Sequence, residues 1–187
     1  MKYAVQNCFH WIGFHIVNYL LEKGYRVDGM DDITTDKKEH LSMFVGRNEL
    51  FRHVPYSRAS GSYDVTMLVD DYCLKLNTHA PVTIQLPLLF GEWMPMNDKG
   101  IFVQNEFISF DSKQFLTQAV YIEQFLNSMQ QWIHATRMPA ELVVRSEKDK
   151  DTEEERPENL LHIRSDETVE EYIQLVKAHY ARFKDLY

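Results

Sequence analysis

Cysteine is scarce: Cys8 and Cys73 are the two in a chain of 187 residues. They lie far apart, inside predicted regular structure, and neither falls in a metal-binding spacing. A reducing, cytoplasmic setting is therefore expected. Long apolar runs are missing as well. None reaches the roughly 18–20 residues needed to span a bilayer, so no membrane insertion is expected. The N-terminus lacks the basic start, apolar stretch and small-residue cleavage site of a secretory signal. An excess of positive charge is also absent, with 20 Lys and Arg against 28 Asp and Glu and a formal net charge of −8. Phosphate binding needs a basic stripe, so a nucleic-acid partner is disfavoured. The eight histidines include no HExxH pair and no Cys/His knuckle, so no metal site is expected.

What is present is a hydrophobic content of 44%, enough for one sizeable core and normally one domain. Residues 2–6 read as a buried strand. Ile12, Ile16, Val17, Leu20 and Leu21 follow helical spacing, and Gly24 is a natural left-handed stop. "YRVDGMD" reads as a second strand, and "ITTDKKEHLSMFVGRN" as a Thr/Asp-capped helix ending near Gly46. "LFRHVPYS" gives a third strand ended by Pro55. The segment from Tyr63 to Thr78, after the flexible stretch 59–62, reads as an amphipathic helix. "PVTIQLPLLFG" reads as one apolar strand, followed by a loop through Gly100. Residues 115–136 read as one strong helix, with Val120, Phe125, Met129 and Trp132 available for one face. "AELVVRS" and "LLHIRSD" are strands around a charged loop at 147–158, and a last helix starts at Thr168, with Glu171 at capping-box spacing. Strands alternating with helices argue for an α/β fold with a mostly parallel sheet.

"AVQNCFHWIGFHIVNYLLEKGYRVDGMDD", residues 4–32, has the order strand, turn, helix, strand, acidic end. It resembles the opening of the extended short-chain dehydrogenases, specifically the NAD-dependent sugar-nucleotide epimerases and dehydratases, in which V-T-G-x-x-G-F-I-G-S-H stands at this point. Val5, Ile12, Gly13 and His15 fall on that pattern, and Asp31 stands where the ribose-binding acid belongs. The stretch 63–93 is similar to the family's Tyr-x-x-x-Lys helix and following strand, with Tyr63 on the acid/base tyrosine. Weaker similarity continues through "AVYIEQFLNSM" and "LLHIRSDETVEEYIQLV". The resemblance implies a Rossmann-like three-layer α/β fold, shortened relative to the family. It makes residues 1–187 a single degenerate NAD(P)-binding domain whose part from about 95 onward is a reduced substrate lobe.

The departures from the family set the functional expectation. Its glycines serve a tight turn, close approach of backbone to pyrophosphate, and helix–strand packing. Here Asn7 and His10 replace the first two, and Gly13 keeps the packing role. An imidazole at position 10 occupies the diphosphate's space. Met67 replaces the lysine that favours tyrosinate, and a tyrosine near its reference pKa of about 10 is a poor base at neutral pH. Only about thirty residues stand between the second strand and Tyr63, which leaves Ser57 and Ser60 as undistinguished candidates for the catalytic hydroxyl. Phe9, Trp11 and Phe14 either form a partner surface or fill the vacated space. Three readings follow. The first is a pseudoenzyme without cofactor that acts through a protein partner or as a homodimer. The second is a residual enzyme using NAD or NADP, with Asp31 and Tyr63 still engaged. The third is a domain sensing a small ligand beside Phe9, His10, Trp11 and Asp31.

Overall fold

The computed structural model describes residues 1–58, 61–78, 80–135, 137–149, 157–164 and 168–187. The chain is α/β. It divides into two compact units, Met1–Thr83 and Ile84–Tyr187, a boundary that falls before the position expected for a reduced lobe.

The first unit opens with β1 (Lys2–Gln6), α1 (Trp11–Glu22) and β2 (Arg26–Met30), then α2 (Asp36–Val45) and β3 (Phe51–Val54). β1 pairs in parallel with β2, and β2 with β3. Helix α1 buries Ile12, Ile16, Val17, Leu20 and Leu21, the stripe expected from spacing, together with Trp11 and Phe14. It stops at Gly24, whose φ of 79° places it in the left-handed region, with Gly24 N–H on the Leu21 carbonyl. Both helical crossovers step the same way along the sheet, so right-handed connections place α1 and α2 on one face. The Phe14 and Phe44 rings meet there at 5.7 Å.

The next segment corrects the sequence reading. Residues 63–78 hold no helix; they form β4 (Val65–Val69) and β5 (Cys73–Asn77), an antiparallel hairpin. Val65, Met67 and Val69 are buried, with half-exposed Thr66 and Leu68 between them, which is strand alternation. Asp70 makes the turn, its Oδ1 accepting from Tyr72 N and Cys73 N. β4 pairs in parallel with β1, giving the strand order β5-β4-β1-β2-β3 in this unit. After β3 the described residues form a 3-10 turn, Tyr56–Arg58, and before β4 Tyr63 packs on Ala4, Met30 and Val54, on the face opposite the helices. Among the described residues the expected third, helical layer is therefore missing from this unit.

β6 (Pro81–Gln85) straddles the boundary, and Pro87 separates it from β7 (Leu88–Phe90), so the expected single strand is two. The loop expected through Gly100 contains β8 (Met96–Asn97), which with β9 (Gly100–Val103) and β10 (Glu106–Ser109) makes an antiparallel meander. Its tight turn holds Gln104 and Asn105, both at positive φ. The long helix expected at 115–136 is also corrected. α3 (Lys113–Gln118) and α4 (Ile122–Ile133) are separated by β11 (Ala119–Tyr121), which pairs in parallel with β7. Val120 thus sits in a strand, while Phe125, Met129 and Trp132 are buried on α4 as expected.

β12 (Glu141–Ser146) pairs in parallel with β13 (Leu160–Ile163), and α5 (Val169–Arg182) follows. Thr168 and Glu171 form the expected capping box, in which Glu171 accepts from Thr168 N at 3.1 Å. The last residue is tied down, since the Tyr187 hydroxyl accepts from Trp93 N at 2.8 Å and its ring stacks on Trp93. Among the described residues, β1–β2, β2–β3, β1–β4, β7–β11 and β12–β13 are parallel pairs. Residues 150–156 of the expected charged loop, and residue 60, lie outside the described residues.

Candidate functional site

In the first unit the strand order reverses direction between β1 and β4, and ligands of open α/β sheets bind at such a point, outside the carboxyl ends of the strands. The residues that follow β1, β2, β3 and β4 converge there. The loop after β1 turns at Asn7, whose φ of 57° is the left-handed conformation that asparagine tolerates better than most residues. In a nucleotide-binding loop the amides after this turn face outward to phosphate. Here the amides of residues 7–10 are bonded within the protein. Asn7 N donates to the Tyr56 hydroxyl at 3.0 Å, and Cys8 N to the Met30 carbonyl at 3.4 Å. Phe9 N donates to Asp31 Oδ2 at 3.0 Å, and His10 N to the Asn7 carbonyl at 2.9 Å.

The Asp31 side chain, at the end of β2, is 3% exposed. Besides Phe9 N it accepts from Asp32 N at 2.8 Å and from Lys38 Nζ at 2.6 Å. A ribose-binding acid presents its carboxylate to the crevice. This one is bonded to the amide of the loop after β1 and to Lys38. His53 Nε2 bonds the Asp31 carbonyl at 2.8 Å and the His53 ring packs on Phe9, fixing the same corner from β3.

The mouth is closed by long-range contacts. Asn7 Nδ2 donates to the Val69 carbonyl at 2.9 Å, joining the β1 loop to the end of β4, and the Tyr56 hydroxyl donates to Asn7 Oδ1 at 2.7 Å. His10, the N-cap of α1, offers no side-chain cap. Its Nε2 lies 3.1 Å from Asp71 Oδ1 instead. A hydrogen bond from His10, opposed by burial and aided by the Trp11 side chain, holds the Asp71 carboxyl below the usual carboxylate range. A helix N-terminus favours an anion. The chain supplies its own, from the β4–β5 turn.

Gly13 packs α1 on this loop: a Cβ there would collide with the Asn7 carbonyl oxygen. Phe9, Trp11 and Phe14 are all buried, so they fill interior space and form no surface. Cys8 is buried and burial pushes its thiol well above the usual range.

Tyr63 and Met67 are not brought together. Met67 is in register with Val5 and fully buried on the helix-covered face. Tyr63 lies on the opposite face against Ala4, Met30 and Val54, with Lys2 Nζ 4.5 Å from its ring centre. Burial and the Asp28 carboxylate raise the Tyr63 pKa, the reverse of what a tyrosine base needs. The acid/base pairing therefore has no geometric basis, because it required one helix turn between residues that a strand instead separates. Ser57 sits in the 3-10 turn, and Ser60 lies outside the described residues. Asp28, on the same face as Tyr63, is 5% exposed and paired with Arg52 and with Lys2 at 3.2 Å. Burial raises its carboxyl, and these bonds outweigh that and keep it below the usual range.

Sequence reasoning missed Tyr56, Asp70, Asp71 and Lys38. "VDDYC" carried a turn signal in its paired aspartates, hidden once the segment was aligned to a helix. Among the described residues, no group of three or more His, Cys, Asp or Glu is placed to hold a metal, and no helix is long and apolar enough to cross a membrane. No family model, curated protein or solved structure matches the chain.

Proposed function

We propose that this protein is a non-catalytic, Rossmann-like relative of the NAD-dependent epimerases and dehydratases, which has kept the strand–helix–strand frame and acts through protein association. The observation that carries the reading is the occupation of all four amides of residues 7–10 by the protein's own acceptors. A dinucleotide's diphosphate lies against this turn, over the N-terminus of the helix that follows it. Opening them costs the Asp31, Tyr56 and Asn7 contacts at once. Loss of hydride chemistry is supported independently by Tyr63, which burial and the Asp28 carboxylate shift away from ionisation. Two free thiols fit a reducing, cytoplasmic setting. Isothermal titration with NAD and with NADP tests the reading: no binding heat is expected, and tight saturable binding of either overturns it.

A second reading, a domain that senses a small ligand at the crevice, is favoured by one atom. Among the described residues, His10 Nδ1 is buried without a hydrogen-bond partner. A small acceptor reaching that nitrogen would satisfy it. Native mass spectrometry of freshly purified protein decides between the two, since a co-purified adduct at fixed stoichiometry supports the sensor and a bare chain mass supports the pseudoenzyme.

A further inference from the structure

Helix α2 carries two stripes. Leu41 and Val45 point inward and are buried. Met43, on the opposite side, and Phe44, on the flank toward α1, are 57% and 62% exposed. At 3.6 residues per turn, Asp36, Glu39, His40, Met43 and Phe44 fall along the outer side of the helix, and Arg47, in the turn just past its end, comes beside His40, Met43 and Phe44. Asp36, Glu39 and Arg47 are exposed, and a shallow notch runs between His40, Met43, Phe44 and Arg47. The edge of Phe44 against Phe14 fixes its ring in place rather than leaving it to collapse on the helix.

This face has a polarity of its own. Acid stands at its start, apolar side chains in its middle and a guanidinium at its end. We propose that it is the contact surface of a homodimer in which α2 packs antiparallel on α2 of a second copy, about a two-fold axis passing near Met43. Residue 47 of each copy then opposes residue 39 of the other, so each Arg47 meets a Glu39 twice over. Met43 packs on Met43, Phe44 flanks it, and the two helix dipoles oppose. An isologous contact requires a self-complementary patch, and this face is one. A foreign acidic or basic helix would match one end and oppose the other. The proposal deepens the association reading above, and rests on it, by naming the partner as a second copy.

Its strength follows from its size. A ten-residue helix is ~15 Å long. One helix-on-helix contact of that length buries well below the ~1,600 Å² of a standard interface, so dissociation in the micromolar range is expected.

Sedimentation velocity of the full chain across low to high micromolar concentration reads the equilibrium, with circular dichroism melts to show that each variant folds. Phe44→Asp is expected to weaken the dimer by about thirtyfold or more. Arg47→Glu sets like charges opposite each other and is expected to weaken it by about tenfold, and the double variant Glu39→Arg/Arg47→Glu to recover most of that loss. Leu175→Asp, at an exposed leucine of the other unit, is expected to change nothing. A chain that stays monomeric at every concentration overturns the proposal, as does a dimer indifferent to Phe44→Asp or a double variant no better than Arg47→Glu alone. Calorimetry with NAD on the same samples separates the two readings: cofactor binding by a dimer would overturn the non-catalytic reading and leave the interface standing.

Discussion

The two helices of the first unit begin in opposite ways. α2 starts by local rules: the Thr35 hydroxyl accepts from Lys38 N at 3.2 Å, and Asp36 and Glu39 stand in its first turn. α1 has no side-chain cap and no acid in its first turn. The loop leading into it is held by Asp31, 22 residues from the Phe9 amide it binds, and by Val69 and Tyr56, 62 and 49 residues from Asn7. A helix capped locally can be rebuilt without disturbing the sheet. A helix start tied to three strand ends is part of the tertiary fold, and the crevice it closes can open only if the fold loosens.

That contrast gives an order of effects. Asp31→Ala removes the acceptor of the buried Phe9 N–H and the carboxylate partner of Lys38, so a loss of about 3 kcal/mol in urea denaturation is expected. Asn7→Ala removes the Val69 and Tyr56 bonds and forces alanine to a φ of 57°, for about 2 kcal/mol. Thr35→Ala at the locally capped helix should cost less, about 1 kcal/mol. If Thr35→Ala proved as costly as Asp31→Ala, the contrast between the two helix starts would fail.

The smallest effect concerns Asp71. Its carboxyl is lowered in the folded protein, so its contribution is present above the unfolded carboxylate pKa of about 3.9 and is lost as pH falls through the lower folded value. The pair is partly exposed, which limits it to under about 1 kcal/mol. Urea midpoints of the protein and of Asp71→Asn should therefore differ at pH 6 and converge toward pH 3. A constant gap would show that Asp71 acts through packing alone.

The same contrast explains what the sequence disclosed. α1, α2, their stops and the strands beside them were legible because spacing, caps and Gly24 are local signals. Gly13 was legible too, since its packing role belongs to one turn and one helix. The β4–β5 hairpin was misread as a helix because the Tyr63-to-Met67 spacing was given more weight than the alternation of Val65, Met67 and Val69 and the turn chemistry of Asp70. β11 was missed because Ala119–Tyr121 is strand only by pairing with Leu88–Phe90, a partner that no local pattern announces. The contacts of Asp31 were not legible. Whether a carboxylate faces a crevice or the loop beneath it depends on Lys38 and Phe9 arriving from elsewhere.

Amide chemical shifts during a titration with NAD test most directly whether the loop after β1 is occupied from within. With the protein labelled at nitrogen, the Asn7, Cys8, Phe9 and His10 resonances should stay in place through millimolar NAD. Saturable movement of Phe9 and His10, with release of the Asp31 contact, would contradict the account.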